Sequence, residues 1–159
     1  MLSVKMITVG NLKESYLRDA CAEYCKRLGG FCKFSQVELK EEKLPESPSQ
    51  SEIDAALGKE AEKILAEMPK RAYKIALCVE GKQLSSEELA ARFEDISASH
   101  SEICLVIGSS HGLDNSVKNA CDMRLSVSKL TFPHQLMRVI LLEAVYRAFN
   151  IIKGTHYHK

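Results

Sequence analysis

A chain of 159 residues, 45% hydrophobic and 27% charged, with a formal net charge of +1, has the size of one ordinary globular domain. A domain of that length buries about two-thirds of its unfolded surface. No apolar run reaches the roughly 18 residues of a membrane span, and the opening MLSVKMITVG reads as a first strand rather than a signal peptide. The expected location is therefore cytoplasmic.

A balance this close to neutral excludes a uniformly basic nucleic-acid binder, yet the charge is unevenly spread. Residues 1–33 hold six Lys/Arg against three Asp/Glu (+3), residues 34–117 nine against sixteen (−7), and residues 118–159 seven against two (+5). A basic C-terminal quarter that also carries His134, His156 and His158 fits either a polyanion partner or a solvated face. The six cysteines form no C-x-x-C, and Leu28 breaks the spacing that a cluster would need after Cys21 and Cys25. They read as structural thiols, with no metal site.

In chain order, residues 4–9 form an apolar strand, and residues 12–28 follow with helical spacing until Gly29-Gly30 stops them. Residues 31–39 read as a second strand. KEEKLPESPSQS, residues 40–51, is a mobile loop. Residues 52–68 form a helix whose charge run, Lys59, Glu60, Glu62, Lys63 and Glu67, reads as a solvated face.

The pattern then repeats. Residues 73–79 are a strand, Gly81-Lys82 a turn, and Ser85 caps a helix through Ile96. Residues 102–107 are a buried strand, the loop GSSHG follows, and Asp114 caps a short helix to about Cys121. Residues 123–128 are the last strand. Pro133 opens a long helix over residues 134–153, ended by Gly154.

Alternating strands and helices predict a single α/β domain, residues 1–159, with a largely parallel sheet. Such sheets bind ligands beyond the carboxyl ends of their strands. Three loops fall there: Glu80-Gly81-Lys82, residues 108–112 and residues 129–133. The last helix is apolar around most of its circumference, which predicts burial on several sides and favours a homodimer. Arg138 and Arg147 project from it, and Glu143 sits one turn before Arg147.

The loop contains G-x-S-x-G, with Ser110 in the nucleophile slot. A hydrolase elbow needs its helix to begin at that serine. Here the cap-like Asp114 delays the helix by about a turn, and no HGGG-type oxyanion motif is present, so serine hydrolysis is disfavoured. No G-x-G-x-x-G follows the first strand, and Walker A is absent.

ITVGNLKESY, LCVEGKQLSSEELA, VIGSSHGL and, above all, LSVSKLTFPHQLMRVILLEAVYRAFNIIKGTHYHK resemble the SPOUT-class methyltransferases of the ribosomal RNA large subunit methyltransferase H family. The resemblance runs over essentially the whole chain. It implies S-adenosylmethionine-dependent methylation of N3 of a pseudouridine in 23S rRNA, a homodimer, and a SPOUT-type domain with a deep C-terminal trefoil knot. For the cofactor it implies Leu77, Gly108, Val127, Ser128, Lys129, Leu130, Thr131 and Phe132, with Gly108 letting backbone approach the ligand. For catalysis on the RNA it implies Arg147, Tyr157 and His158.

The family usually has a second glycine where Ser109 stands, and often a lysine where Asn11 stands. His134 is a further candidate for accepting the N3 proton, or else a capping residue. Arg147 has the alternative of simply pairing with Glu143. Arg138, Lys129, Lys153 and Lys159 are candidates for phosphate contacts. With so low a net charge, the assembled ribosome is the expected RNA target rather than naked RNA. The competing reading is a nucleotide- or RNA-binding module without catalysis.

Overall fold

The computed structural model describes residues 1–159. Its elements are β1 (Ser3–Val9), α1 (Ser15–Leu28), β2 (Lys33–Leu39), α2 (Gln50–Glu67), β3 (Tyr73–Gln83), α3 (Ser86–Ser97), β4 (Glu102–Ile107), α4 (Asn115–Ala120), β5 (Met123–Ser126) and α5 (His134–Lys153). The five strands lie in the order β2-β1-β4-β3-β5, and every pairing is parallel. No helix is long and apolar enough to cross a membrane.

A parallel sheet needs a crossover after each strand, and the crossovers cover both faces. Alternation sorts the strand residues accordingly. Val4, Met6, Ile75, Leu77, Ile103 and Leu105 join the core under α1, α3 and α5. Ile7, Val9, Ala76, Cys104 and Val106 face the other way, against α2 and α4. Ile103 is fully buried and Leu105 nearly so, each contributing about 1.5–3 kcal/mol by leaving water.

Several boundaries differ from the sequence expectations, each for a local reason. Residues 12–14 lie outside α1, because Arg18 Nη1 donates to the carbonyls of Leu12 and Lys13, at 3.0 and 2.8 Å, and holds them in a turn. Phe31 leaves the sheet to pack on Tyr146 and Phe149 of α5. Ser49, placed in the loop by composition, caps α2 instead. Its hydroxyl accepts from the Glu52 amide, and the Glu52 carboxylate accepts from the Ser49 amide.

β3 does not stop at the glycine turn but runs on to Gln83. Leu125 pairs with Leu77 and again with Lys82, so residues 78–81 bulge between the two contacts. Glycine is required at position 81 because β5 backbone passes where a Cβ would stand, with the Leu125 carbonyl carbon 2.7 Å from that position. Glu60, read as part of a solvated face, is 3% exposed.

All six cysteines are free. Burial pushes the thiols of Cys25, Cys32 and Cys121 up to about 11 and that of Cys104 to about 12, so all four are inert at neutral pH.

Candidate functional site

The carboxyl ends of β3, β4 and β5 open onto a cleft of about 350 Å³. That falls within the roughly 300–1,000 Å³ range of small-ligand pockets. Its walls come from residues 77–80, 107–113, 125–128 and 130–132, with Lys118 of α4 and His134 and Met137 of α5 completing it. Seven of the eight residues named for the cofactor line it together: Leu77, Gly108, Val127, Ser128, Leu130, Thr131 and Phe132. Lys129 lies outside the wall with an exposed side chain.

The β4–α4 loop is a closed turn. The Gly112 amide donates to the Ser109 carbonyl at 2.9 Å, and Gly112 has φ +88°. A Cβ on Gly108 would stand 2.2 Å from the Gly112 carbonyl oxygen. Gly108 is therefore required first by the loop's own backbone, where the sequence suggested the ligand. Opposite, Ser126 Oγ donates to the Ser128 carbonyl and Ser128 Oγ accepts from the Leu130 amide, each at 3.0 Å. The Ser128 hydroxyl thus shapes the β5–α5 loop from within.

Ser110 donates to Glu41 Oε1 at 3.4 Å, and no histidine is hydrogen-bonded to it, so a Ser–His nucleophile pair is not formed. Ser109, in the cleft wall, donates to the buried Glu60 Oε1 at 2.8 Å.

On α5, His134 lines the cleft and Arg138 does not. Arg138, placed by sequence among possible phosphate contacts, is 0% exposed. It pairs with Glu38 at 2.6 Å and donates to the carbonyls of Val9 and Gly10, so it faces the core and has no route to a phosphate. It was unreadable locally because Glu38 lies 100 residues away in sequence.

Burial holds the His134 imidazole below its ordinary 6.5, against the opposing pull of Glu41. In the unfolded chain it titrates near 6.5, so between that pH and its lower folded value only the unfolded chain takes the proton. Stability falls as pH drops through that window. Urea midpoints at pH 7.5 and 5.5 are expected to fall further apart for the wild type than for His134→Gln, and equal differences would refute this origin.

Arg147, Tyr157 and His158 are brought together, though not at the cleft. After Gly154, in the left-handed conformation with φ 70°, the tail folds back along α5. Arg147 Nε and Tyr157 Oη donate to the two oxygens of Glu143, at 2.7 and 2.6 Å. His158 Nδ1 lies 3.2 Å from Arg147 Nη1, and His158 Nε2 lies 2.7 Å from Glu87 Oε1.

Burial works to raise the Glu143 carboxyl, but the bonds from Tyr157, Tyr24 and Arg147 outweigh it and hold it low. Burial and the Glu143 carboxylate push the Tyr157 phenol well up. Tyr157 is therefore a donor at neutral pH and not a proton acceptor. Arg147 stands 13 residues beyond His134 on the same helix, about 20 Å along its axis, and none of the three tail-cluster residues lines the cleft.

Comparison with known proteins bears on this geometry. The family model described as Predicted SPOUT methyltransferase matches residues 2–158. Proteins named Ribosomal RNA large subunit methyltransferase H are similar over 99% of this chain and 100% of their own length. They include those of Streptococcus thermophilus (50% identical), Limosilactobacillus reuteri (48%) and Bifidobacterium adolescentis (51%). A solved structure of a probable methylase family protein from Haemophilus influenzae shares the fold at a TM-score of 0.52 and 16% identity, over 99% of this chain and 70% of that one. On the strength of a family match that spans nearly every residue, the chain belongs to the SPOUT methyltransferases.

Proposed function

We propose that this chain transfers a methyl group from S-adenosylmethionine to N3 of a pseudouridine in 23S rRNA, acting as a homodimer on the assembled ribosome. The whole of residues 1–159 serves as one SPOUT domain, with the C-terminal knot that its family implies. The observation that carries the reading is that residues implied by the family resemblance meet in one cleft of a chain whose relatives share that family. Full-length relatives bear the rRNA methyltransferase name, and seven of the eight cofactor residues implied by the sequence motifs line one cleft.

The donor set of the cleft fits such a ligand. Leu77, Val127 and Phe132 offer apolar surface for a purine. Glu80 and Lys118 share the same wall, where the 2.5 Å bond from Lys118 keeps the Glu80 carboxylate ionised, and the pair offers both an acceptor and a donor to a polar ligand. S-adenosylmethionine, when bound, supplies a methyl group already activated on a sulfonium. What remains for the protein is positioning and charge. Residues 108–112 and 126–132 hold the cleft walls, and Arg147 provides a permanent cation for negative charge on the base as N3 loses its proton. His134, whose burial disfavours its charged form, has the unprotonated nitrogen that proton removal needs, while His158 packs beside Arg147 and Tyr157 positions and donates.

Two features support a homodimer. On α5, Leu136 is exposed and Ile140 half-buried, and neither packs against the core cluster. The tail cluster also lies away from its own chain's cleft, so a partner's tail completes each site.

The test is titration calorimetry with S-adenosylmethionine, followed by methyl transfer to ribosomes. Micromolar binding and transfer at N3 are expected. Arg147→Ala is expected to lower kcat roughly a hundredfold, the scale of losing one charge-stabilising group, with donor affinity unchanged. Donor binding with undiminished transfer by that variant would remove Arg147 from catalysis, and binding with no transfer by the wild type would favour a non-catalytic module.

A further inference from the structure

Glu60 is a buried charge that no part of the reaction described so far uses. It is 3% exposed on the inward stripe of α2, between Ala56 and Ile64 one turn to either side. It belongs to none of the chain's ion pairs. A carboxylate without a counter-ion is costly to bury, and an apolar residue on this stripe would serve packing better. Its retention is explained by its two hydrogen bonds, one at each oxygen. Oε1 accepts from Ser109 Oγ at 2.8 Å, and Oε2 accepts from the Glu42 amide at 3.0 Å.

Those partners belong to two segments at the carboxyl end of the sheet. Ser109 is in the cleft wall, within the turn closed by Gly112. Glu42 follows Glu41, whose Oε1 accepts from Ser110 and whose carboxylate faces Gly10, close to His134 Nε2. Lys63, one turn further along α2, fixes the same segment by pairing with Glu42 Oε1 at 2.7 Å and donating to the Lys40 carbonyl at 3.4 Å. One carboxylate on a rigid helix thus ties the wall of the cleft to the strand-end segment behind it.

We propose that Glu60 is a positioning residue of the methyl-donor site, acting through Ser109 on residues 108–112 and through the Glu42 amide on residues 40–42. The proposal rests on the assignment of the cleft to the methyl donor. It also gives Ser109 a purpose. Its hydroxyl reaches back to α2 and restrains the loop. The role is geometric rather than electrostatic. A glutamine can satisfy both bonds, its carbonyl accepting from the Glu42 amide and its NH2 donating to Ser109 Oγ, because a hydroxyl accepts as readily as it donates.

The experiment compares Glu60→Gln, Glu60→Leu, Ser109→Ala and the double variant Glu60→Leu with Ser109→Ala in the full chain. It reads S-adenosylmethionine Kd by calorimetry, amide exchange of residues 40–42 and 108–112, and kcat against KM on ribosomes. Glu60→Leu is expected to weaken donor binding about tenfold or more and speed exchange in both segments, with kcat at saturating donor within about twofold. Glu60→Gln is expected to stay within about threefold of wild type. Ser109→Ala is expected to weaken binding about three- to tenfold alone and to add nothing in the Glu60→Leu background, the signature of a shared interaction.

Wild-type affinity in a folded Glu60→Leu chain overturns the proposal, as does a Ser109→Ala penalty that persists in full in the double variant. A Glu60→Gln chain as impaired as Glu60→Leu overturns the geometric role, because charge alone would then be at work. Should Glu60→Leu not fold, unchanged affinity and exchange in Ser109→Ala overturn it instead. A wild type that binds no donor overturns the cleft assignment itself, an outcome distinct from all of these.

Discussion

Arg138→Ala is expected to cost about 3–5 kcal/mol of folding stability, the range for breaking a buried ion pair by removing one partner. Three acceptors lose their donor together: the Glu38 carboxylate and the carbonyls of Val9 and Gly10. A space the size of the arginine stem also opens under α5, where the side chain is fully buried. Glu38 keeps 37% of its side chain open to solvent, so part of its charge is re-solvated and the loss sits at the lower end. At about 2–4 °C per kcal/mol for a domain of this size, Tm falls by roughly 10 °C.

Arg138→Lys is expected to fall between, since one ammonium cannot reach the carboxylate and both carbonyls as a planar fork does. Thermal unfolding followed by circular dichroism reads all three proteins. A Tm for Arg138→Ala within about 2 °C of wild type would show that the network contributes no net stability.

The arginine shows where local reading ends. Its helix was legible from Pro133 to Gly154 because the start and stop signals are both local and the apolar residues cover most of its circumference. Within that helix, sequence placed Arg138 outward with Arg147. Whether a cation at helical spacing points to solvent or core depends on what accepts from it, and those acceptors are on β1 and β2, more than 90 residues away in sequence. Glu60 was hidden for the same reason, since its donors lie 18 and 49 residues away. A local signal did exist there, the buried spacing Ala56-Glu60-Ile64, but the neighbouring lysines and glutamates masked it.

The placement of the cleft, by contrast, needed only strand order of the coarsest kind. Parallel strands end on one side, so the loops after them meet whichever way the sheet is permuted. The extension of β3 through Gly81 could not be read, because a Gly-Lys pair is a turn signal and the bulge it forms depends on β5.

Gly108→Ala is expected to weaken donor binding more than a hundredfold while the sheet stays folded. The new methyl would stand 2.2 Å from the Gly112 carbonyl oxygen, 2.6 Å from its carbon and 3.0 Å from Leu113 Cδ2. The first two are backbone atoms of a turn pinned by the Gly112–Ser109 bond and by Ser109 on Glu60, so no side-chain adjustment relieves the contact. The loop must move as a body, and the cleft wall goes with it. Because β4 ends before the loop, the stability loss is expected to stay near 1–3 kcal/mol, the usual cost of overpacking.

Two neighbours serve as controls on that reasoning. Gly112→Ala meets no atom within 4 Å, but its φ of +88° costs a side chain about 1–2 kcal/mol, so roughly tenfold weaker binding is expected. Ser110→Ala removes only a 3.4 Å bond from an exposed hydroxyl and is expected to leave affinity and transfer unchanged, which no serine nucleophile would permit. The graded series, from Gly108 through Gly112 to Ser110, follows backbone closure of the turn. If Gly108→Ala bound the donor within about threefold of wild type, the turn would not be the element that shapes the site, and the weight would pass to the wall formed by residues 126–132.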